Sequence, residues 1–209
     1  MKEIQIETTK TARIYLEGNL NEKTDEVLVV LHGYAQLAQF FIKRFESISN
    51  ENRVIIAPEG LSKFYWQGMN GRVVASWMTK EDRINEIKDQ ITYLDKVYNQ
   101  IKSKSPKARI SVLGFSQGTA TGCRWIANSK VNLDRVILWA GGIPEDVLEF
   151  DSIKKQQFEI VIGTEDEYIS EEKIEKMKEK FSNHKIKYEL TKFKGGHIIK
   201  NEILFNLFN

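Results

Sequence analysis

The chain has 209 residues, 31 basic and 29 acidic, for a formal net charge of +2, with 41% hydrophobic and 29% charged residues. This length suits one domain with a real core, expected to span residues 1–209, and the charge balance argues against a nucleic-acid partner or an anionic-membrane surface. A single cysteine, Cys123, excludes an internal disulfide framework, the start "MKEIQIETTK" lacks an apolar leader core, and no apolar run approaches the ~18 residues of a membrane span; a cytoplasmic protein without a stable membrane anchor is expected.

In chain order, strand-like segments fall at 12–16, 27–31 (VLVVL), 53–57 (RVIIA), 109–113 (RISVL), 135–139 (RVILW), 158–162 (FEIVI) and 187–193 (KYELTKF). Several are continuous apolar runs, the pattern of parallel strands covered on both faces. Helical periodicity lies between them. It appears over 36–49 (Leu37, Phe41, Phe45, Ile48) and over 80–102 (Ile84, Ile87, Ile91, Leu94, Val97, Ile101). It returns over 171–182 (Ile174, Met177, Phe181) and over 198–208 (Ile199, Ile203, Leu204, Leu207). The basic run "KSKSPKAR" at 102–109 follows a helix and reads as a solvated helix C-terminus. No repeat, linker or low-complexity tract interrupts the alternation. The expected fold is α/β: a mostly parallel, doubly wound sheet of about seven strands with helices on both faces. Ligands of such sheets bind beyond the carboxyl ends of the strands.

"GFSQG", Gly114 to Gly118, sits where strand gives way to helix and fits G-x-S-x-G. A sharp strand-to-helix turn would expose the Ser116 hydroxyl, leave no room for side chains at the flanking glycines, and aim helix amides at negative charge beside the serine. A serine hydroxyl needs a base. Of three histidines, His184 lies near a helix end and suits capping, while His32 ends a strand run and suits a structural role in its loop. His197, on the glycine pair of "KFKGGHII" after the last strand, is the candidate base. The base needs an orienting carboxylate, and "GTEDEYI" offers Glu165, Asp166 and Glu167 after strand 158–162; spacing alone does not separate them. An oxyanion would be held by the Gln117 amide and by a second amide from His32-Gly33-Tyr34-Ala35.

Taken together, LHGY, GFSQG, GTEDEYI and GGH resemble an α/β-hydrolase, within it the small phospholipase/carboxylesterase group that includes acyl-protein thioesterases and bacterial carboxylesterases. The resemblance runs from about residue 27 to the C-terminus. It implies that a G-x-x-D turn supplies the acid, which maps onto Gly163 to Asp166 and selects Asp166, and it places the second oxyanion donor at Tyr34. The loop "HGYAQLAQF" departs from the longer HG-L-G-D-type loop of the thioesterase members, so the resemblance carries their reaction rather than their substrate.

The segment 58–79 is long and aromatic, and Trp66 and Trp77, with Phe64, Tyr65, Met69 and Met78, are expected to form a substrate wall. Only 140–157 is available where lids are inserted in this superfamily, so a minimal lid or none is expected. Cys123 reads as a small buried residue. No metal-ligand spacing and no phosphate-binding loop is found, and neither metal nor cofactor is expected. The expected activity is a serine carboxylesterase acting on a small-molecule ester through an acyl-enzyme. The alternatives are an acyl-protein thioesterase or lysophospholipase with the same triad, a cofactor-free perhydrolase, or a non-catalytic ligand receptor on the same scaffold. The assembly leaves room for a homodimer.

Overall fold

A computed structural model describes all 209 residues. The main sheet contains β1 (Ile14–Glu17), β2 (Glu26–Leu31), β3 (Arg53–Pro58), β6 (Arg109–Phe115), β7 (Arg135–Trp139), β8 (Gln157–Gly163) and β9 (Lys187–Phe193), in the order β1-β3-β2-β6-β7-β8-β9. Only β1 runs antiparallel to its neighbour, pairing Ile14 with Pro58 and Glu17 with Ile55. The centre is in parallel register, with Val27 opposite Ile110 and Leu31 opposite Gly114. Seven strands in a mostly parallel, helix-covered sheet make the α/β-hydrolase architecture expected from the alternation of apolar runs and helical stripes.

The continuous apolar runs arise because each strand feeds two cores. On β2, Val27, Val29 and Leu31 enter one cluster while Leu28 and Val30 enter the other; on β7, Val136 and Leu138 alternate with Ile137 and Trp139. The first face is covered by α2 (Arg83–Lys104), α3 (Gln117–Asn128), α4 (Asp151–Lys155) and α5 (Glu171–Asn183), which contribute Leu94, Trp125, Ile153 and Phe181. The second is covered by α1 (Ala38–Phe41) with the 3-10 helix Ile42–Ile48, and by α6 (Asn201–Phe208), contributing Phe41, Phe45 and Leu204. Between β7 and β8 lie only a 3-10 turn (Glu145–Val147) and α4, so no helical lid rises there.

Three local readings change. The helix expected over 36–49 is one turn of α-helix that tightens to 3-10 at Ile42. On α2, Ile84 is 70% exposed, and Gln90 joins Leu94, Val97 and Ile101 on the buried line. Within 58–79, read from the sequence only as a long aromatic segment, the chain forms an antiparallel hairpin, β4 (Ser62–Tyr65) and β5 (Val73–Ser76).

Candidate active site

Ser116 follows β6 directly and caps α3 with φ 54° and ψ −114°, a left-handed conformation strained for any residue with a side chain. Its surroundings enforce that geometry. The Ser116 N–H donates to the Trp139 carbonyl at 2.9 Å, and its own carbonyl accepts from the Thr119 hydroxyl at 2.7 Å. A Cβ at Gly114 would stand 2.5 Å from the Gly118 carbonyl oxygen, and one at Gly118 would stand 2.1 Å from that of Leu31. Both glycines are therefore required by close backbone approach.

The loops after β8 and β9 are tied together. Thr164 N–H donates to Phe193 O at 2.8 Å and Glu165 N–H to Gly195 O at 2.9 Å. At Gly163 a Cβ would lie 2.2 Å from Gly195 O. A three-residue turn, Ile198 N–H to Gly196 O at 2.9 Å, carries His197 at its apex. His197 Nδ1 then meets Asp166 Oδ2 at 2.8 Å, with the Asp166 side chain fully buried and that of His197 mostly so. Asp166 Oδ1 accepts the Tyr168 and Ile169 amides at 2.8 and 3.2 Å, which fixes the carboxylate plane. Glu165 and Glu167 face solvent. The imidazole packs against Phe115, the residue before Ser116, at 4.9 Å between ring centroids, and against Tyr168 at 4.8 Å. Asp166 and His197 are thus in contact, His197 lies on the ring of Ser116's neighbour, and no hydrogen bond joins the Ser116 hydroxyl to the imidazole.

The loop after β2 holds its backbone amides in a fixed arrangement. Gly33 N–H donates to Gln36 Oε1 at 2.7 Å and Ala35 N–H to Ala75 O at 3.0 Å, leaving Tyr34 N–H free between them. Gln117 N–H, at the first turn of α3, has no intrahelical acceptor. The Gln117 side chain staples this turn to the strand end beyond β5: Oε1 accepts the Trp77 N–H at 3.1 Å and Nε2 donates to Met78 O at 2.8 Å.

His32 is fully buried and holds the Tyr34 loop. Its Nδ1 lies 2.7 Å from Gly33 O, and its Nε2 accepts the Gly60 N–H at 3.0 Å, so the ring is neutral with its proton on Nδ1. Gly33 C=O and Tyr34 N–H are opposite ends of one planar peptide, so gripping the carbonyl aims the amide. Burial pushes the His32 pKa down from 6.5 to about 4. The unfolded chain takes up that proton near 6.5 while the folded chain resists it. This contribution to stability is therefore complete above the unfolded value and drains as pH falls toward 4. Urea unfolding should show about 2 kcal/mol lost from this residue by about pH 5, and a shallower acid slope in His32→Gln.

Trp77 requires a correction. It is fully buried; its indole N–H donates to His32 O at 2.8 Å and its ring lies 5.0 Å from the His32 ring, so it braces the loop from within and presents nothing to a substrate. Trp66 is half-buried on the hairpin and lies edge-on to the half-exposed Tyr34 ring at 6.0 Å, with Phe64 5.5 Å from Tyr34. Cys123 is buried in α3, and burial pushes its thiol pKa up, which removes it as a nucleophile. His184 caps α5 and pairs with Glu149 at 2.8 Å. Sequence reasoning passed over Tyr168 and Thr119, although both lie inside or directly beside the motifs GTEDEYI and GFSQG.

A strained serine at the end of a central parallel strand, with an Asp–His pair on the loops of two later strands, defines an α/β-hydrolase. The phospholipase/carboxylesterase family model matches residues 18–208, and the chain belongs to that family. Among solved structures it is similar to esterase PE8 (18% identity, 95% of this chain and 97% of that one, TM-score 0.71). It is also similar to Zea mays acyl-protein thioesterase 2 (15%, 94% and 96%, 0.68) and to the Bacillus cereus carboxylesterase (17%, 94% and 93%, 0.68). A search of curated proteins finds no match. No helix is long and apolar enough to cross a membrane.

Proposed function

We propose that the protein is a serine carboxylesterase that cleaves small carboxylic esters by an acyl-enzyme route. The observation that carries this reading is the buried Asp166–His197 pair at 2.8 Å, set beside the residue that precedes Ser116. Asp166 holds the His197 proton on Nδ1, leaving Nε2 to take the proton from Ser116 Oγ as it attacks the ester carbonyl. The Tyr34 and Gln117 amides receive the oxyanion. One such donor is typically worth ~2.7–4 kcal/mol of transition-state stabilisation. Protonated His197 then donates to the leaving alcohol, which departs, and the same base activates a water that releases the acid. The scheme uses only side chains and backbone amides.

Tyr34, Phe64 and Trp66 offer the substrate an aromatic wall on the oxyanion side, and the short β7–β8 connection leaves the cleft open. Open access suits soluble esters. It also suits acyl groups on larger carriers, and with the family membership this supports the second reading, a thioesterase or lysophospholipase using the same residues. A fluorophosphonate should label Ser116 alone, and labelling elsewhere counts against the scheme. Turnover of a nitrophenyl ester exceeding that of acyl-CoA and lysophospholipid supports the carboxylesterase; the reverse order favours the second reading.

A further inference from the structure

Gln117 N–H, one of the two amides proposed to receive the oxyanion, shares a planar peptide with Ser116 C=O, so the direction of that carbonyl sets the direction of the amide. The peptide follows the Ser116 ψ of −114°, in a region that a residue with a side chain adopts only under constraint. Rotating the peptide would relieve the strain and swing the amide with it. Holding the amide therefore means holding the carbonyl. One residue does so twice: Ser116 O accepts the Thr119 N–H at 3.1 Å and the Thr119 hydroxyl at 2.7 Å.

Hydroxyls on helices often bond a carbonyl one turn back, but two features set Thr119 apart. It is only 2% exposed, and the loop after β7 closes over it: a Cβ at Gly141 would collide with Thr119 Oγ1 and stand 3.0 Å from Ser116 O. Solvent does not compete for a hydrogen bond enclosed in this way, and the low local dielectric strengthens it. The hydroxyl also has one hydrogen and two carbonyls near it, Ser116 O at 2.7 Å and Gly142 O at 3.3 Å, and the shorter contact takes the hydrogen. We propose that Thr119 is a positioning residue for ester cleavage, its hydroxyl fixing the Ser116–Gln117 peptide so that the Gln117 N–H faces the developing oxyanion. His32 acts on Tyr34 in the same way, through Gly33 O. Enclosed beneath the loop, Thr119 does not meet the substrate itself. The role rests on the esterase reading.

Thr119→Val keeps the shape of the side chain and removes the hydroxyl, whereas Thr119→Ser keeps the hydroxyl and removes the methyl. Rates are counted per serine that a fluorophosphonate labels to completion, so protein that fails to fold does not enter. Losing an oxyanion donor outright lowers kcat ~10²–10³-fold; a misaimed one should cost Thr119→Val roughly tenfold in kcat with KM nearly unchanged, while Thr119→Ser stays within about threefold of the parent. Thr119→Ala, which removes the hydroxyl without filling its place, should lose as much as Thr119→Val. The readout specific to the amide is a nitrophenyl ester against its thiono analogue, in which sulfur replaces the carbonyl oxygen. Sulfur is a weak hydrogen-bond acceptor, so the thiono ester gains less from the amide. The ratio of ester to thiono-ester turnover should therefore fall in Thr119→Val and Thr119→Ala together with kcat. Equal losses on both substrates, a loss in Thr119→Ser as large as in Thr119→Val, or full turnover in Thr119→Val or Thr119→Ala overturns the positioning role and leaves the esterase reading standing. A parent that hydrolyses neither substrate overturns the esterase reading, and this role with it.

Discussion

Ser116→Ala is expected to reduce ester turnover by roughly 10⁴–10⁶-fold while leaving the fold intact, because it deletes the hydroxyl that the proposed acyl-enzyme route uses as nucleophile. The backbone makes the companion variant more informative. Ser116 sits at φ 54° and ψ −114°, a region costing a residue with a side chain ~1–3 kcal/mol, and glycine enters it freely. Ser116→Gly should therefore be as inactive as Ser116→Ala yet more resistant to urea. Stability and activity would move in opposite directions at one position, which a purely structural serine would not produce. Retained turnover in either variant would end the covalent scheme.

Asp166→Asn is the second large effect, with kcat expected to fall about 10⁴-fold at little cost to folding. The asparagine Oδ1 can keep the Tyr168 and Ile169 amides, so the turn survives. Its amide would then face His197 Nδ1 as a donor where a carboxylate accepted. That pairing forces the imidazole proton onto Nε2, the atom that receives the serine proton in the proposed route. The loss should appear in kcat with KM nearly unchanged. Glu165→Gln and Glu167→Gln, both at solvent-facing positions, should leave the rate within twofold or so of the parent.

Much of the frame was legible because its physics is local and repetitive. Parallel strands covered on both faces need unbroken apolar runs, and VLVVL and RVILW read as strands on that ground alone. The short turn around Ser116 was equally visible, since its two glycines answer a steric demand that no other residue meets. The losses came where a side chain's partner is distant in sequence. Trp77 looked like a substrate wall because an aromatic residue in a long loop usually faces solvent or ligand; its indole is spent on the His32 carbonyl, 45 residues away. Gln90 was invisible to a search for apolar stripes, since it takes an inward position with a polar side chain. The β4–β5 hairpin was missed because strands of four residues with exposed Tyr65 and Val73 carry almost no alternation to detect.

The position of β9 at the outer margin of the sheet limits how copies of the chain can meet. Its free rim displays the exposed side chains of Lys187, Glu189 and Lys192. Strand-to-strand extension there would strip water from these ions and set lysines of two molecules side by side, an arrangement that discourages ribbon growth and amyloid-like stacking. Strand pairing through β9 is therefore disfavoured, and any lasting association between copies has to be built from some other part of the molecule.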